Sequence, residues 1–188
     1  MNQIRLQLEK DALLSDNDWQ IFSSKLIREE LSKKQVLLEV GQIENYLSFV
    51  ESGIIRVYLP KEENDLTVDF AFGGSFVSGY ISFLTRMPSI YRMEALAEAR
   101  IWRISYDDLQ LVYDLTEMGD RIGRKAGESL FLRKSKRELS LLNDSAENRY
   151  LHLFTEQPKL IQLIPLKYIA SYIGVTPQAL SRIRRRIS

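Results

Sequence analysis

Two hydrophobic periodicities divide the chain. Between about Val36 and Ser105 the apolar residues come in short runs, VLLEV, YLSFVE, IIRVYLP, LTVDFAF and RIWRIS, broken by Gly41, Gly53, Gly73, Gly74, Gly79 and Pro88. Strand-length runs rich in Val, Ile, Phe and Tyr with turn formers between them predict an all-β sandwich or roll. Ahead of it, Ser15 with Asp18 three residues on reads as a helix N-cap, followed by an apolar stripe of Trp19, Phe22 and Leu26. Beyond Tyr106 proline is absent until Pro158, and Met118, Ile122, Ala126 and Leu130 recur every four residues. That spacing predicts a long helix over 109–142, its stripe continuing less regularly through Leu132, Leu139 and Leu142. Such a stripe needs a cover, either the chain's own β domain or the same helix of a second subunit. Gly123 and Gly127, four apart, lower helix propensity but admit a close partner backbone.

The last segment, IPLKYIASYIGVTPQALSRIRRRIS, carries two short helical patterns around a glycine. Pro165 suits a first helical position, Ile169, Ala170 and Ile173 share a face, and Gly174 supplies the left-handed residue that ends a helix. Thr176 caps a second helix that opens with Pro177 and turns Leu180 and Ile183 inward. This is the grammar of a helix-turn-helix, with a small residue at the crossing and a shared apolar core. Gln178 and Arg182 lie one turn apart with Ser181 beside them, and the core needs none of the three. They are candidates to enter a major groove, Arg182 toward a guanine edge and Gln178 toward an adenine. Arg184, Arg185 and Arg186 extend positive charge along the same helix, where phosphate contacts give affinity without sequence information.

Charge sharpens this reading. Over 188 residues the net charge is only +1, but residues 145–188 carry seven basic against two acidic side chains, whereas residues 1–144 carry 19 against 23. A basic module following an acidic body makes duplex DNA the first partner to test. The 45% hydrophobic and 27% charged composition excludes a disordered chain. The absence of cysteine removes disulfides, iron–sulfur clusters and thiolate zinc sites. One histidine, His152, cannot furnish the two or three ligands of a metal-dependent β-roll enzyme, so no metal site and no enzyme are expected. Charged residues interrupt every apolar stretch of the N-terminus, and nowhere do eighteen apolar residues run together. A cytoplasmic location without membrane contact is therefore expected.

With its order of parts, β roll, long helix, terminal helical pair, the chain resembles the CRP/FNR family of bacterial transcription regulators over nearly its whole length. The marks are EVGQIENYLSFVESGIIRVY, GGSFVSGYISFL, ALAEARIWRISYDDL and IASYIGVTPQALSRIRRRI. The resemblance implies an α+β fold with an N-terminal double-stranded, cyclic-nucleotide-binding-like β-roll and flanking helices (1–108), a dimerisation helix (109–142) and a C-terminal helix-turn-helix DNA-binding domain (143–188). It implies a homodimer paired through Met118, Ile122, Ala126 and Leu130, a two-fold duplex site, and RNA polymerase as a further partner. DNA contacts would come from Lys167, Thr176, Pro177, Gln178, Ser181, Arg182, Arg184, Arg185 and Arg186. Pro177 departs from the polar or basic residue often found there, so the family's usual target is not assumed. Family members often continue into a small β wing, whereas Ser188 follows the arginine run by two residues, which shifts the expected backbone contacts to Lys167 and helix N-termini.

The effector pocket departs further. Cyclic-nucleotide-binding members carry a Gly-Glu pair for the ribose and an Arg-Ser or Arg-Thr pair for the phosphate, and those places hold Ser78-Gly79 and Ser89-Ile90. Burying a phosphate without a cation is heavily penalised, so a standard cAMP response is not expected and no cofactor is assigned. Two readings of the roll stay open. Either Ser78, Gly79, Tyr80, Ser82, Ser89 and Arg92 line a pocket for an unidentified small-molecule effector, or the roll is a scaffold. A rival function is a ligand-sensing or protein-interaction module without DNA binding, which predicts no steep salt dependence with duplexes.

Overall fold

The computed structural model describes residues 1–10, 14–117 and 119–187. Among these residues two short helices, α1 (Asn2–Leu8) and α2 (Asp16–Ser24), precede eight strands. These are β1 (Ile27–Leu31), β2 (Val36–Leu38), β3 (Tyr46–Ser52), β4 (Ile54–Leu59), β5 (Leu66–Phe72), β6 (Ser75–Val77), β7 (Arg92–Ala95) and β8 (Ala99–Ser105), with α3 (Tyr80–Thr85) between β6 and β7. Helices follow: α4 (Tyr106–Leu115), α5 (Gly119–Asn143), α6 (Ala146–Glu156), α7 (Pro158–Leu163), α8 (Leu166–Tyr172) and α9 (Pro177–Ile187). The fold is α+β, with two four-stranded sheets ordered β1-β8-β3-β6 and β2-β7-β4-β5. The pairs with a register assigned are antiparallel, among them Leu47 opposite Ile104 on β3–β8 and Val57 opposite Met93 on β4–β7.

Local chemistry sets the element ends. Ser15 Oγ accepts the Asp18 N–H at 3.0 Å and caps α2, as its spacing implied. Ser105 and Ser145 cap α4 and α6 in the same way. The helix expected without interruption over 109–142 is instead two helices. α4 ends at Thr116, whose backbone is extended and whose hydroxyl turns back to the Val112 carbonyl at 2.7 Å, and α5 starts at Gly119. A side chain that bonds its own preceding turn competes with helix continuation, and the four-residue apolar spacing gives no sign of it.

The chain divides into two compact units, one of residues 1–58 and 69–128, the other of residues 59–68 and 129–188. In the first, α1, α2, α4 and the roll share a core of Ile4, Phe22, Phe49, Phe83, Ile104, Leu109 and Val112, with Trp19 and Leu26 packed against it. In the second, Tyr150, Leu153, Leu160, Ile164, Ile169, Ala170, Ile173, Leu180 and Ile183 are buried.

Candidate functional site

The α8–α9 pair is built as its sequence pattern implied. Ile169 and Ala170 are fully buried on α8, and Leu180 and Ile183 are buried on α9. Gly174, between them, has φ +74°, a conformation that costs an L side chain energy and glycine little. Thr176 Oγ1 accepts the Ala179 N–H at 3.2 Å, and α9 begins at Pro177. Pro165 stands one place earlier than expected: it is the residue before α8, whose first helical position is Leu166.

Opposite this core α9 presents an outward polar face. Thr176, Gln178, Ser181, Arg182, Arg184, Arg185 and Arg186 are exposed and Pro177 is half-buried. The helix carries four arginines and no acid. Ser181 Oγ donates to the Pro177 carbonyl at 3.0 Å, and Arg186 pairs with Glu147 at 3.1 Å. Among the described residues Arg182 and Arg185 make no ion pair. Lys167 is exposed on α8, its ammonium 4.7 Å from the Tyr168 ring centroid.

Three residues that the sequence pattern did not single out hold α8. A helix leaves its last carbonyls without intrahelical donors. Here Arg137 donates to the Tyr172 carbonyl at 2.8 Å and Arg149 to the Ile173 carbonyl at 2.8 Å, placing two cations at the negative end of the helix. Arg137 also lies over the Tyr172 ring and reaches the Thr67 carbonyl at 3.1 Å. Ser171 Oγ accepts the Thr67 N–H at 2.7 Å and donates to the Asp65 carbonyl at 2.5 Å, which ties the β4–β5 turn to α8. Thirty or more residues separate most of these partners, so spacing gave no signal for them.

Apolar exposure on α5 departs from the stripe predicted for it. Met118 lies outside the described residues, Ile122 and Leu130 are half-buried, and Ala126 is exposed. The large exposed side chains are Phe131, Leu132, Leu139, Leu141 and Leu142, at 69%, 67%, 58%, 37% and 75%.

In the roll, the residues of the expected pocket are committed to the protein's own hydrogen bonds. Ser78 Oγ donates to the Tyr46 carbonyl at 2.9 Å, Ser82 Oγ accepts the Glu44 N–H at 3.0 Å, and Ser89 Oγ bonds both backbone groups of Tyr91. A Cβ on Gly79 would meet Leu38 at 2.5 Å, with Ser89 Oγ 3.6 Å away, so Gly79 and Ser89 do converge. Beside Gly79 lies Glu44, a buried carboxylate that accepts from Tyr46 N–H at 2.9 Å and Gly79 N–H at 3.3 Å, with Arg103 4.0 Å away. Burial pushes its carboxyl above the usual value of 4.5 despite those amides and the arginine. Arg92 points to an ion pair with Glu39 at 3.0 Å. Tyr80 does not join this group: it lines a different cleft, with Phe83 and Tyr113. Arg86 is consumed by the Glu44 carbonyl at 2.7 Å, by Asn45 and by the face of Tyr106.

A double-stranded roll with a short helix between its sixth and seventh strands is the build of a cyclic-nucleotide-binding-type domain, and residues 28–114 match the family described as cyclic nucleotide-binding domain. That match covers the roll and α4, and further helices follow it. Among solved structures it is similar to FixK2 from Bradyrhizobium japonicum, with TM-score 0.73, 16% identity, and 86% of this chain and 84% of that one covered. It is similar also to the c-di-GMP responsive global regulator CLP of Xanthomonas campestris, with TM-score 0.69, 15% identity and 92% and 91% covered. A protein described as a transcriptional regulator of the crp/fnr family from Eubacterium rectale gives TM-score 0.70 at 18% identity, with 92% and 83% covered. At these identities the likeness is one of fold. No curated protein sequence matches the chain. No helix among the described residues is long and apolar enough to cross a membrane.

Proposed function

We propose that the protein is a sequence-specific DNA-binding transcription regulator of the CRP/FNR type, binding a two-fold duplex site as a homodimer. The observation that carries this reading is the α9 face: Gln178, Ser181 and Arg182 are exposed beside an arginine run, on a helix whose other side is locked into a buried core. In this reading α8 and α9 are a helix-turn-helix. Arg182 pairs bidentately with a guanine edge and Gln178 with an adenine, Pro177 and Ser181 lie beside them at the bases, and Lys167, Thr176, Arg184, Arg185 and Arg186 meet phosphates. The similar folds of proteins described as regulators support the reading.

Dimerisation is assigned to α5. Phe131, Leu132, Leu139 and Leu142 are the most exposed large apolar side chains along its C-terminal half, and a second copy of the helix is the cover proposed for them. This moves the weight of the pairing surface toward the C-terminus of α5 from the stripe of Ile122, Ala126 and Leu130. The effector, where one acts, is not a standard cyclic nucleotide bound through an arginine at Ser89 or a carboxylate at Gly79.

Selection of bound duplexes from a random pool tests the reading. The expected result is enrichment of a sequence with two half-sites about one helical turn apart. A pool that stays random after repeated rounds, or duplexes that bind without salt dependence, would favour a module that does not read DNA.

A further inference from the structure

A second candidate site lies outside both the α9 face and the Gly79–Ser89 region. A cleft of about 260 Å³ opens where α3, α4 and the first turns of α5 meet. Its size is just below the roughly 300 Å³ at which small-molecule sites usually begin, which suits a ligand of one or two rings. Tyr80, Phe83, Tyr106 and Tyr113 supply its aromatic lining, Tyr80 stacked on Phe83 with centroids 6.2 Å apart. Gly123 also lines it: a Cβ there would come within 2.9 Å of the Tyr113 hydroxyl, so the glycine lets α5 close over the end of that ring. Burial, Tyr80 and Asp120 push the Tyr113 phenol up to about 12, and burial raises Tyr80 as well, so both hydroxyls remain protonated at neutral pH.

The charges around the cleft are unequal. Arg124 is engaged by Glu128 at 3.0 Å, and Arg86 already lies over Tyr106, 4.5 Å from its centroid. Asp120 is exposed and, among the described residues, has no ion-pair partner. A carboxylate without a counter-ion beside tyrosine rings favours a cation attached to an apolar ring, through ion pairing and the attraction of a cation to aromatic faces. We propose that this cleft binds a small aromatic amine, its ring among Tyr80, Phe83 and Tyr113 and its ammonium at Asp120. The site is independent of DNA reading and of the Gly79–Ser89 region beside Glu44.

Tryptamine, indole and indole-3-propionate titrated separately into the full chain, followed by ligand-observed NMR and calorimetry, test the proposal. Tryptamine should bind more tightly than indole-3-propionate by roughly two- to fivefold, the difference expected of one exposed charge pair. Asp120→Asn should bring tryptamine to the level of indole, and Gly123→Val, which places a side chain against the Tyr113 hydroxyl, should abolish binding of all three. Asp120 is exposed, so its variant keeps the test valid where Gly123→Val does not fold. No binding of any probe at about 1 mM, equal affinity for the three, or an unchanged preference in Asp120→Asn would overturn it.

Discussion

Arg182 and Arg185 lie three residues apart on one helix, yet the proposed contacts give them different signatures. A bidentate pairing with one base is lost only where that base is present. Arg182→Ala should therefore cost about 1–3 kcal/mol at one base pair per half-site and relax the preference there, as measured by competition among single-base variants of the selected duplex. Arg185→Ala should weaken all duplexes alike and lower the salt slope by about one charge. Behind the face, Arg137 has a different task. Its loss removes the charged hydrogen bonds it gives to the carbonyls of Tyr172 and Thr67, and a charged hydrogen bond contributes about 1.5–3 kcal/mol, so Arg137→Ala should lower stability to denaturant by that order. In the roll, Glu44 holds its proton to higher pH when folded than unfolded, because burial outweighs its donors. Stability linked to that proton is full below the ordinary carboxylate value of about 4.5 and is lost as pH rises through the raised folded value. Relative to Glu44→Gln, the wild-type melting temperature should fall as pH rises above the ordinary carboxylate value of 4.5; a difference that stays constant on that side would remove the assignment.

At the scale of elements, what the sequence made legible was whatever depends on neighbours within a turn or two. Ser15 and Thr176 as caps, Gly174 as the left-handed stop, and the faces of α8 and α9 follow from residues three or four apart. The strand runs likewise follow from short β-prone stretches between turn formers, although β1, β6 and β7 are too short or too polar to register: β1 reads IREEL, whose only buried residue is Leu31. The break between α4 and α5 was invisible because no proline marks it and the Thr116 bond to its own preceding turn is not legible from spacing. Glu44 beneath Gly79, and Arg137, Arg149 and Ser171 around α8, depend on partners that only the tertiary fold brings near. For the pairing helix, Leu139→Asp puts a charge into the proposed apolar seam and should shift the chain toward monomer in sedimentation velocity, with little loss of helix by circular dichroism since the residue is exposed. An unchanged sedimentation coefficient would move the pairing surface elsewhere. Gly174→Ala should destabilise the α8–α9 turn by about 1 kcal/mol, because alanine resists its positive φ.

Over the whole molecule the charge balance matters more than its total. The net +1 combines an acidic body with a C-terminal segment of seven basic and two acidic residues. An acidic body limits unspecific adhesion to nucleic acid while the basic segment engages it, so affinity should come from a small number of phosphate contacts rather than from the whole surface. The most direct measurement compares the selected duplex with a scrambled one of equal length, each titrated with the full chain at several salt concentrations. The account predicts that both affinities fall with salt while the selected duplex stays tighter by roughly a thousandfold or more, and that Gln178→Ala with Arg182→Ala removes most of that gap. Equal affinity for the two duplexes, or a gap that survives the double substitution, would contradict it.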